Sequence, residues 1–299
     1  MNKEKRPRKR SFPYKKITTI VMLLVFGGYF ICRQLAGSLF FRSPDRLNLV
    51  VYGQYPVYYS LGLRDNVNYY FRFNPDMKVI VPGGYGSYRT GAVGKLVFLE
   101  KKPGLLRKTF SLATRSFVRQ YFHNGNDKIY YAEGEPDIIF PGPRIFLTAD
   151  SNAGWADRLF YVAYFWGKTP QNFVTLTGQS EEVKGENIFL NDQFGQKYGG
   201  YFYDNRYRAE KLNVQVIYGN SYATALALSR MMEGSGIRVG DISRRPTSKG
   251  SCRVLESGIS QSVTAAGLVN FFGCRYNKAN TGIADIILEL NDTEGEWAV

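Results

Sequence analysis

The sequence predicts a mixed α/β (α+β) protein in three parts: an N-terminal transmembrane helix, a mixed α/β domain and a small two-layer βαββαβ domain. Three observations predict it. A cationic tail precedes an uncharged apolar run at the start of the chain. Strand-like alternation and helix-like spacing mix through the middle. Near the C-terminal end the two periodicities follow one another in a regular order. The limits are 1–16 for a basic cytoplasmic tail, 17–41 for the anchor, 42–180 for the first domain, 181–211 for a connecting segment and 212–299 for the last domain.

The anchor is read from charge and length together. Lys3, Lys5, Arg6, Arg8, Lys9, Arg10, Lys15 and Lys16 stand against one acid, Glu4, before the uncharged run Ile17–Cys32; a second short apolar run covers Gln34–Phe41. A basic flank holds the N-terminus on the cytoplasmic side, so a retained helix places the bulk of the chain outside. Spanning a bilayer takes about 20 apolar residues, and Ile17–Cys32 supplies sixteen. Arg33 must therefore lie at the outer interface, or the span must continue to Phe41. A cleaved signal peptide and a buried core helix are the rivals. Leu35-Ala36-Gly37-Ser38 has the small residues of a cleavage site and resembles a lipoprotein box, but Ser38 stands where the lipidated cysteine would be.

The net charge of +14 does not mark a nucleic-acid binder. Residues 1–16 carry +7, while 43–299 carry only +5. Half the charge is thus a topology signal, and no nucleic-acid partner is expected. A mildly basic exterior part favours acidic partners such as anionic wall polymers or lipid headgroups. Three cysteines, no C-x-x-C and a single histidine, His123, exclude a Cys/His metal site. Cys252 and Cys274 either form a disulfide, allowed outside the cytoplasm, or stay as two buried thiols.

In the first domain, Leu47–Val51 is a short strand, Asn66–Phe73 alternates, and Met77–Val81 is a strand ended by Pro82-Gly83-Gly84. A helix fits Leu105–Phe122, with Leu106, Phe110, Ala113, Phe117 and Tyr121 on one side and Pro103-Gly104 at its start. A second helix fits Asn152–Tyr164, and Asp137–Arg144 is a strand with a proline-kinked turn. Residues 181–211 are a polar connection with a short hairpin. In the last domain Leu212, Val214, Val216 and Tyr218 alternate, then come helix Tyr222–Glu233, strands Ile237–Ile242 and Cys252–Leu255, helix Ser260–Phe272 and strand Ile283–Leu290. Asn220 or Ser221 caps the first helix, and Gly234 and Gly273 stop the two helices. One four-stranded sheet with both helices on one face buries both apolar stripes.

Two surface features have both a chemical and a plain meaning. Gly83-Gly84-Tyr85-Gly86-Ser87 after a strand is a phosphate-cradling loop or a flexible turn, and it fits neither common glycine-rich nucleotide motif. Arg107, Lys108, Arg115 and Arg119 lie opposite the apolar stripe of the predicted helix, either as a solvated face or as a site for anionic polymer. Gly83, Gly84, Tyr85, Arg107 and Arg115 are accordingly the ligand-binding candidates. Tyr69, Phe71 and Phe73 form ordinary core or line a groove.

Residues 212–299 resemble the LytR C-terminal domain of Gram-positive and related envelope proteins. The resemblance rests on Val214-Gln215-Val216-Ile217-Tyr218-Gly219-Asn220, Ala225-Leu226-Ala227, Gly236-Ile237-Arg238-Val239 and Ala284-Asp285-Ile286-Ile287-Leu288. The family has Asn-Gly where this chain has Gly219-Asn220. Upstream, Arg64-Asp65-Asn66-Val67, Arg72-Phe73-Asn74-Pro75, Val79-Ile80-Val81-Pro82, Ser151-Asn152 and Trp155–Leu159 resemble a degenerate LytR-CpsA-Psr catalytic domain, and Phe202–Glu210 resembles its join to the second domain. Family members that transfer glycopolymers carry Arg-Asp after the proline to grip a pyrophosphate and its metal ion; this chain has Gly83-Gly84. The later arginine cluster has no clear counterpart, since Arg206 and Arg208 fall in the connection. Phosphoryl transfer depends on neutralising the transferring charge.

The resemblance therefore implies a single-pass envelope protein at the cell membrane, its bulk extracytoplasmic, that binds or scaffolds at the wall or membrane surface without catalysis. Its partners are the membrane, cell-wall glycan or anionic glycopolymer, and other envelope proteins. Two alternatives stand. One is a glycopolymer phosphotransferase acting on polyprenyl-pyrophosphate-linked glycans, with Asp65, Arg72 and Arg89 as catalytic candidates and Mg2+ as cofactor; otherwise no cofactor or metal is expected. The other is a protein–protein interaction module of a membrane complex.

Overall fold

A computed structural model describes residues 14–38, 44–125, 127–132, 134, 140–183, 185–246 and 249–299. Most of the basic tail, the end of the second apolar run at 39–41 and the strand start at Asp137 lie outside the described residues. The chain is mixed α/β. Helix α1 (Tyr14–Gly37) comes first. It is followed by strands β1 (Arg46–Tyr52), β2 (Val57–Gly62), β3 (Tyr69–Arg72), β4 (Lys78–Val81) and β5 (Gly86–Arg89). Helices α2 (Val93–Glu100) and α3 (Gly104–Thr114) lead to β6 (Val118–His123), α4 (Pro143–Thr148), β7 (Asp150–Ser151) and α5 (Trp155–Phe165). Strands β8 (Val174–Thr175), β9 (Ser180–Val183) and β10 (Glu186–Phe189) precede α6 (Asn191–Lys197) and α7 (Asn205–Glu210). The last part runs β11 (Asn213–Tyr218), α8 (Tyr222–Gly234), β12 (Arg238–Arg244), β13 (Arg253–Glu256), α9 (Val263–Phe272), β14 (Arg275–Lys278), β15 (Ile286–Glu289) and α10 (Thr293–Glu296).

Alternation along β1 explains the layers of the first module. Leu47, Leu49 and Val51 point to one core with Tyr59, Phe122, Phe146, Tyr161 and Phe165, under α4 and α5. Val50 and Tyr52 point to the other, with Tyr58, Phe73, Leu106 and Phe110. The sheet between the two cores has the order β7-β6-β1-β2-β3-β8, and a smaller sheet, β5-β4-β10-β9, closes the second core. Residues 181–211 are more than a connection: Phe189, Phe194, Tyr198 and Phe202 complete that core.

The helix predicted over Leu105–Phe122 ends at Thr114. Arg115 adopts φ +49°, and residues 118–123 become β6, parallel beside β1. A four-residue spacing suits a helix, but Tyr121 also fits a strand because both faces of β6 are buried. The strand predicted from Asn66 starts only at Tyr69, because Asn66 turns at φ +54°.

The last module corrects the βαββαβ expectation by one strand. Its sheet has the order β12-β11-β15-β13-β14. Two parallel βαβ units, β11-α8-β12 and β13-α9-β14, flank β15, which runs parallel to β11 and antiparallel to β13. The added edge strand β14 holds Arg275 and Lys278, a short, polar stretch without the apolar alternation that marks its neighbours. Both helices pack on one face, through Ala225, Leu228, Met231, Ala265, Leu268 and Phe271. Ser221 and Ser262 accept from the N–H groups of Thr224 and Ala265 at 3.2 and 3.0 Å, as N-caps should. Cys252 and Cys274 are bonded, with Cα atoms 4.6 Å apart, at the heads of β13 and β14.

Among the described side chains of helix α1, nine large apolar ones, including Leu23, Leu24, Val25 and Phe26, are more than half exposed. Its far end is pinned. The Ser38 hydroxyl donates to Asp157 of α5, and Gln120 donates to the same carboxylate at 2.8 Å. Among the described residues no helix is long and apolar enough to cross a membrane.

Candidate functional site

Helix α3 decides where chemistry is available, because it is sandwiched between the first core and the last module. Its cations are therefore not a solvated face. The Arg107 guanidinium donates to the Phe271 carbonyl at 3.0 Å and lies 4.7 Å over that ring. Burial, with Arg119 nearby, lowers its pKa. Lys108 pairs with Glu296 at 2.8 Å and covers Trp297. Arg119 donates to the Tyr207 hydroxyl at 2.5 Å. Arg206 is held in a fork by Asp204, at 2.8 and 2.7 Å.

The glycine loop is likewise engaged. Gly83 and Gly84 have φ of +90° and +79°, which turns both N–H groups to one side. Both donate to the Ala298 carbonyl, at 2.9 and 3.2 Å. The Tyr85 hydroxyl donates to Glu100 at 2.6 Å and accepts from Lys102 at 3.0 Å. The cradle thus holds the segment after α10. That segment is tied down a second time, where the buried Glu294 carboxylate accepts from the N–H groups of Gly219, Asn220 and Ser221 at 2.8, 2.9 and 2.5 Å. Residues 292–299 therefore clasp the two modules together.

The three catalytic candidates do not converge. Asp65 is the counter-ion of buried Arg46, at 2.7 Å, and also accepts from the Val67 N–H. Arg46 further donates to the Val67 carbonyl at 3.0 Å. Arg72 lies at the other end of the β2–β3 hairpin, opposite Val57, with its guanidinium 5.5 Å from the Tyr55 ring centre. Arg89 belongs to the smaller sheet, paired with Asp76 at 3.8 Å and 4.6 Å over Tyr131. Among the described residues no group of three or more His, Cys, Asp or Glu could hold a metal ion.

His123 is buried, and its Nε2 has no hydrogen-bond partner. It packs edge-on against Tyr52, 5.2 Å between ring centres. Burial holds its pKa below the ordinary 6.5, with Asp150 opposing. The sign follows from linkage. Below pH 6.5 the unfolded chain takes up a proton that the folded imidazole refuses, so stability is full above 6.5 and declines as pH falls through that window. Denaturant titrations at pH 7.5, 6.5 and 5.5 should show this decline, and His123→Phe should flatten it. An unchanged slope in the variant counts against the assignment.

Beside α3, α6 and α8 lies a cleft of about 140 Å³, lined by Arg115, Tyr198, Phe202, Tyr203, Arg230 and Glu233; a larger one of about 210 Å³ lies at Tyr55, Tyr59, Tyr70 and Arg72. Arg115 pairs with Asp192, and Arg230 reaches the same carboxylate oxygen at 2.9 Å. Burial and the neighbouring Arg230 push the Arg115 pKa down to about 10. Burial raises that of Glu233, against the pull of Arg115 and Arg230. A Cβ on Gly195 would lie 2.2 Å from the Arg115 Cδ, and one on Gly234 1.9 Å from its carbonyl oxygen. Only glycine therefore lets these backbones approach Arg115. Of the residues lining the smaller cleft, Arg115 alone was marked by the sequence. Asp192, Arg230 and Glu233 carry no local signal, because their partners come from distant parts of the chain.

No family model matches the chain, and no curated protein matches it. Solved structures similar to it include TagT of Bacillus subtilis, at 11% identity and TM-score 0.34, covering 51% of this chain and 88% of that one. A transcriptional regulator of B. subtilis, yvhJ, has 8% identity and TM-score 0.33 over 52% of this chain and 94% of its own. A transcriptional regulator of Enterococcus faecalis has 6% identity and TM-score 0.35 over 66% and 89%. At these scores the likenesses place the chain in no family.

Proposed function

We propose that the chain is a membrane-tethered binding protein of the cell envelope, with α1 as its anchor and the cleft at Arg115 and Arg230 as its ligand site. The observation that carries the tether is the apolar girth of α1, uncovered on all sides from Ile20 to Phe30. A helix that is apolar all round needs an apolar surrounding. Since no described helix is by itself long and apolar enough to cross a membrane, the outward orientation rests on the cationic tail before the apolar run alone. The binding role is supported by where the polar groups are. The catalytic candidates Asp65, Arg72 and Arg89 have separate partners, and Gly83-Gly84 holds Ala298.

In cells expressing the full chain, it should stay in the membrane pellet through an alkaline carbonate wash, and external protease should digest the last module. Release by carbonate, or a last module cut only after lysis, would reject the tether.

A further inference from the structure

Two isoleucines stand bare at one end of the last module. Ile259, in the loop between β13 and α9, is 96% exposed, and Ile283, in the loop between β14 and β15, is fully exposed. The loops are neighbours. Glu256, Lys278 and Ile286, which flank them, share one register across β13, β14 and β15, and the Lys278 ammonium donates to the Ile259 carbonyl. The Thr281 hydroxyl donates to the Ala284 carbonyl at 2.5 Å and closes the turn that carries Ile283. The acids at this end are occupied with other groups. Glu256 accepts from the Ser262 N–H and the Tyr276 hydroxyl, and Asp285 accepts from the Asn213 N–H. Resting on the tether by α1, we propose that this end of the last module dips Ile259 and Ile283 into the bilayer face from which α1 emerges.

Position supplies the occupant. Ser38, little more than one helical turn past Arg33, is held by Asp157, whose carboxylate also accepts from Gln120 near the start of β6. The adjoining Arg119 donates to Tyr207 of α7 at 2.5 Å. Glu210, at the end of α7, accepts from the N–H groups of Val263 and Thr264 at 2.7 and 2.8 Å, directly after the Ile259 loop. Direct contacts thus lead from the end of α1 to both loops. The helices agree on direction: α8 ends with Gly234 against Arg115, at the end of α3 that leads into β6. The bilayer is the apolar phase that α1 already brings to this end. Entry of the two side chains removes apolar surface from water, and apolar groups lying in the interface reach about 5–10 Å into the headgroup boundary. Lys211 and Lys278 are exposed at the same end, with stems long enough to keep their ammonium groups among the headgroups.

The test places a polarity-sensitive dye on the full chain, in a Cys32→Ser background, through Ile259→Cys, Ile283→Cys or, for comparison, Arg245→Cys. Arg245 lies just past the far end of the seven-residue strand β12, about 20 Å away at 3.2–3.4 Å per residue. Each labelled chain is reconstituted into phosphatidylcholine vesicles. A lipid-borne quencher should lower emission at least twofold at 259 and 283 and leave 245 unchanged, while aqueous iodide should quench 245 alone. Flotation of the vesicles reads the tether separately. A chain that does not float rejects both proposals, whereas one that floats with its 259 and 283 dyes open to iodide rejects the isoleucine contact alone. Because the dye itself favours lipid, the 259 label is also read in Ile283→Asp, a change at a fully exposed side chain that leaves the core intact. Lipid quenching at 259 should fall at least twofold there. Undiminished quenching assigns the contact to the dye and overturns the proposal.

Discussion

Glu294→Ala should destabilise the protein by about 3–5 kcal/mol, because three backbone N–H donors lose their acceptor at about 1–3 kcal/mol each where buried. Glu294 is 2% exposed, and its two oxygens serve three consecutive N–H groups at the start of α8. Alanine would leave all three without an acceptor. It would also remove a negative charge from the positive end of that helix. Because α10 and the following residues carry both Glu294 and Ala298, the loss should spread to the other module. Hydrogen exchange at Gly83 and Gly84, whose N–H groups donate to Ala298, should speed up with that at Gly219 and Ser221. Glu294→Gln should recover part of the stability, since its amide oxygen still accepts. A denaturation midpoint for Glu294→Ala equal to that of the parent would show that the clasp is weak.

Breaking the Cys252–Cys274 bond should cost about 3 kcal/mol on the chain-entropy estimate for a loop of this length. The bond closes a separation of 22 residues, which contains α9. It fastens the head of the edge strand β14 to β13, where the Arg275 N–H also donates to the Cys252 carbonyl at 2.9 Å. The edge strand has one neighbour and few apolar contacts, so it depends on this bond more than a central strand would. Thermal melts with and without reductant should differ by several degrees, and the Cys252→Ser, Cys274→Ser double variant should melt with the reduced protein. Identical melts would show that β14 is held by its ladder alone. An oxidising surrounding, which the proposed outward orientation provides, is where such a bond persists.

The elements legible in the sequence were those whose causes are local. The alternation Val214, Val216, Tyr218 gave β11, and Val263 to Phe272 gave α9, because side-chain periodicity follows directly from backbone geometry. Ser221 and Gly273 marked helix ends because capping joins residues a few positions apart. The N-terminal apolar run was equally plain. β6 was misread because Leu106, Phe110, Ala113, Phe117 and Tyr121 continue a helical spacing past the point where Arg115 turns left-handed. The reason for that turn is nonlocal, since Arg115 pairs with Asp192 and its carbonyl lies against Gly234. β14 was missed because an edge strand can be polar on both faces.

The amino-acid sequence alone determined the mixed α/β character, the apolar N-terminal helix with its cationic flank, and both helices of the last module, all of which depend on neighbours within a turn or a strand. Only the tertiary structure decided what the polar residues do. Arg107 and Lys108 are joined to Phe271 and Glu296 across 164 and 188 residues, Gly83 and Gly84 to Ala298, and Arg115 and Arg230 to one Asp192. A charge or a glycine states what it can bond to, but the partner is chosen by how distant segments pack, and no spacing along the chain encodes that choice.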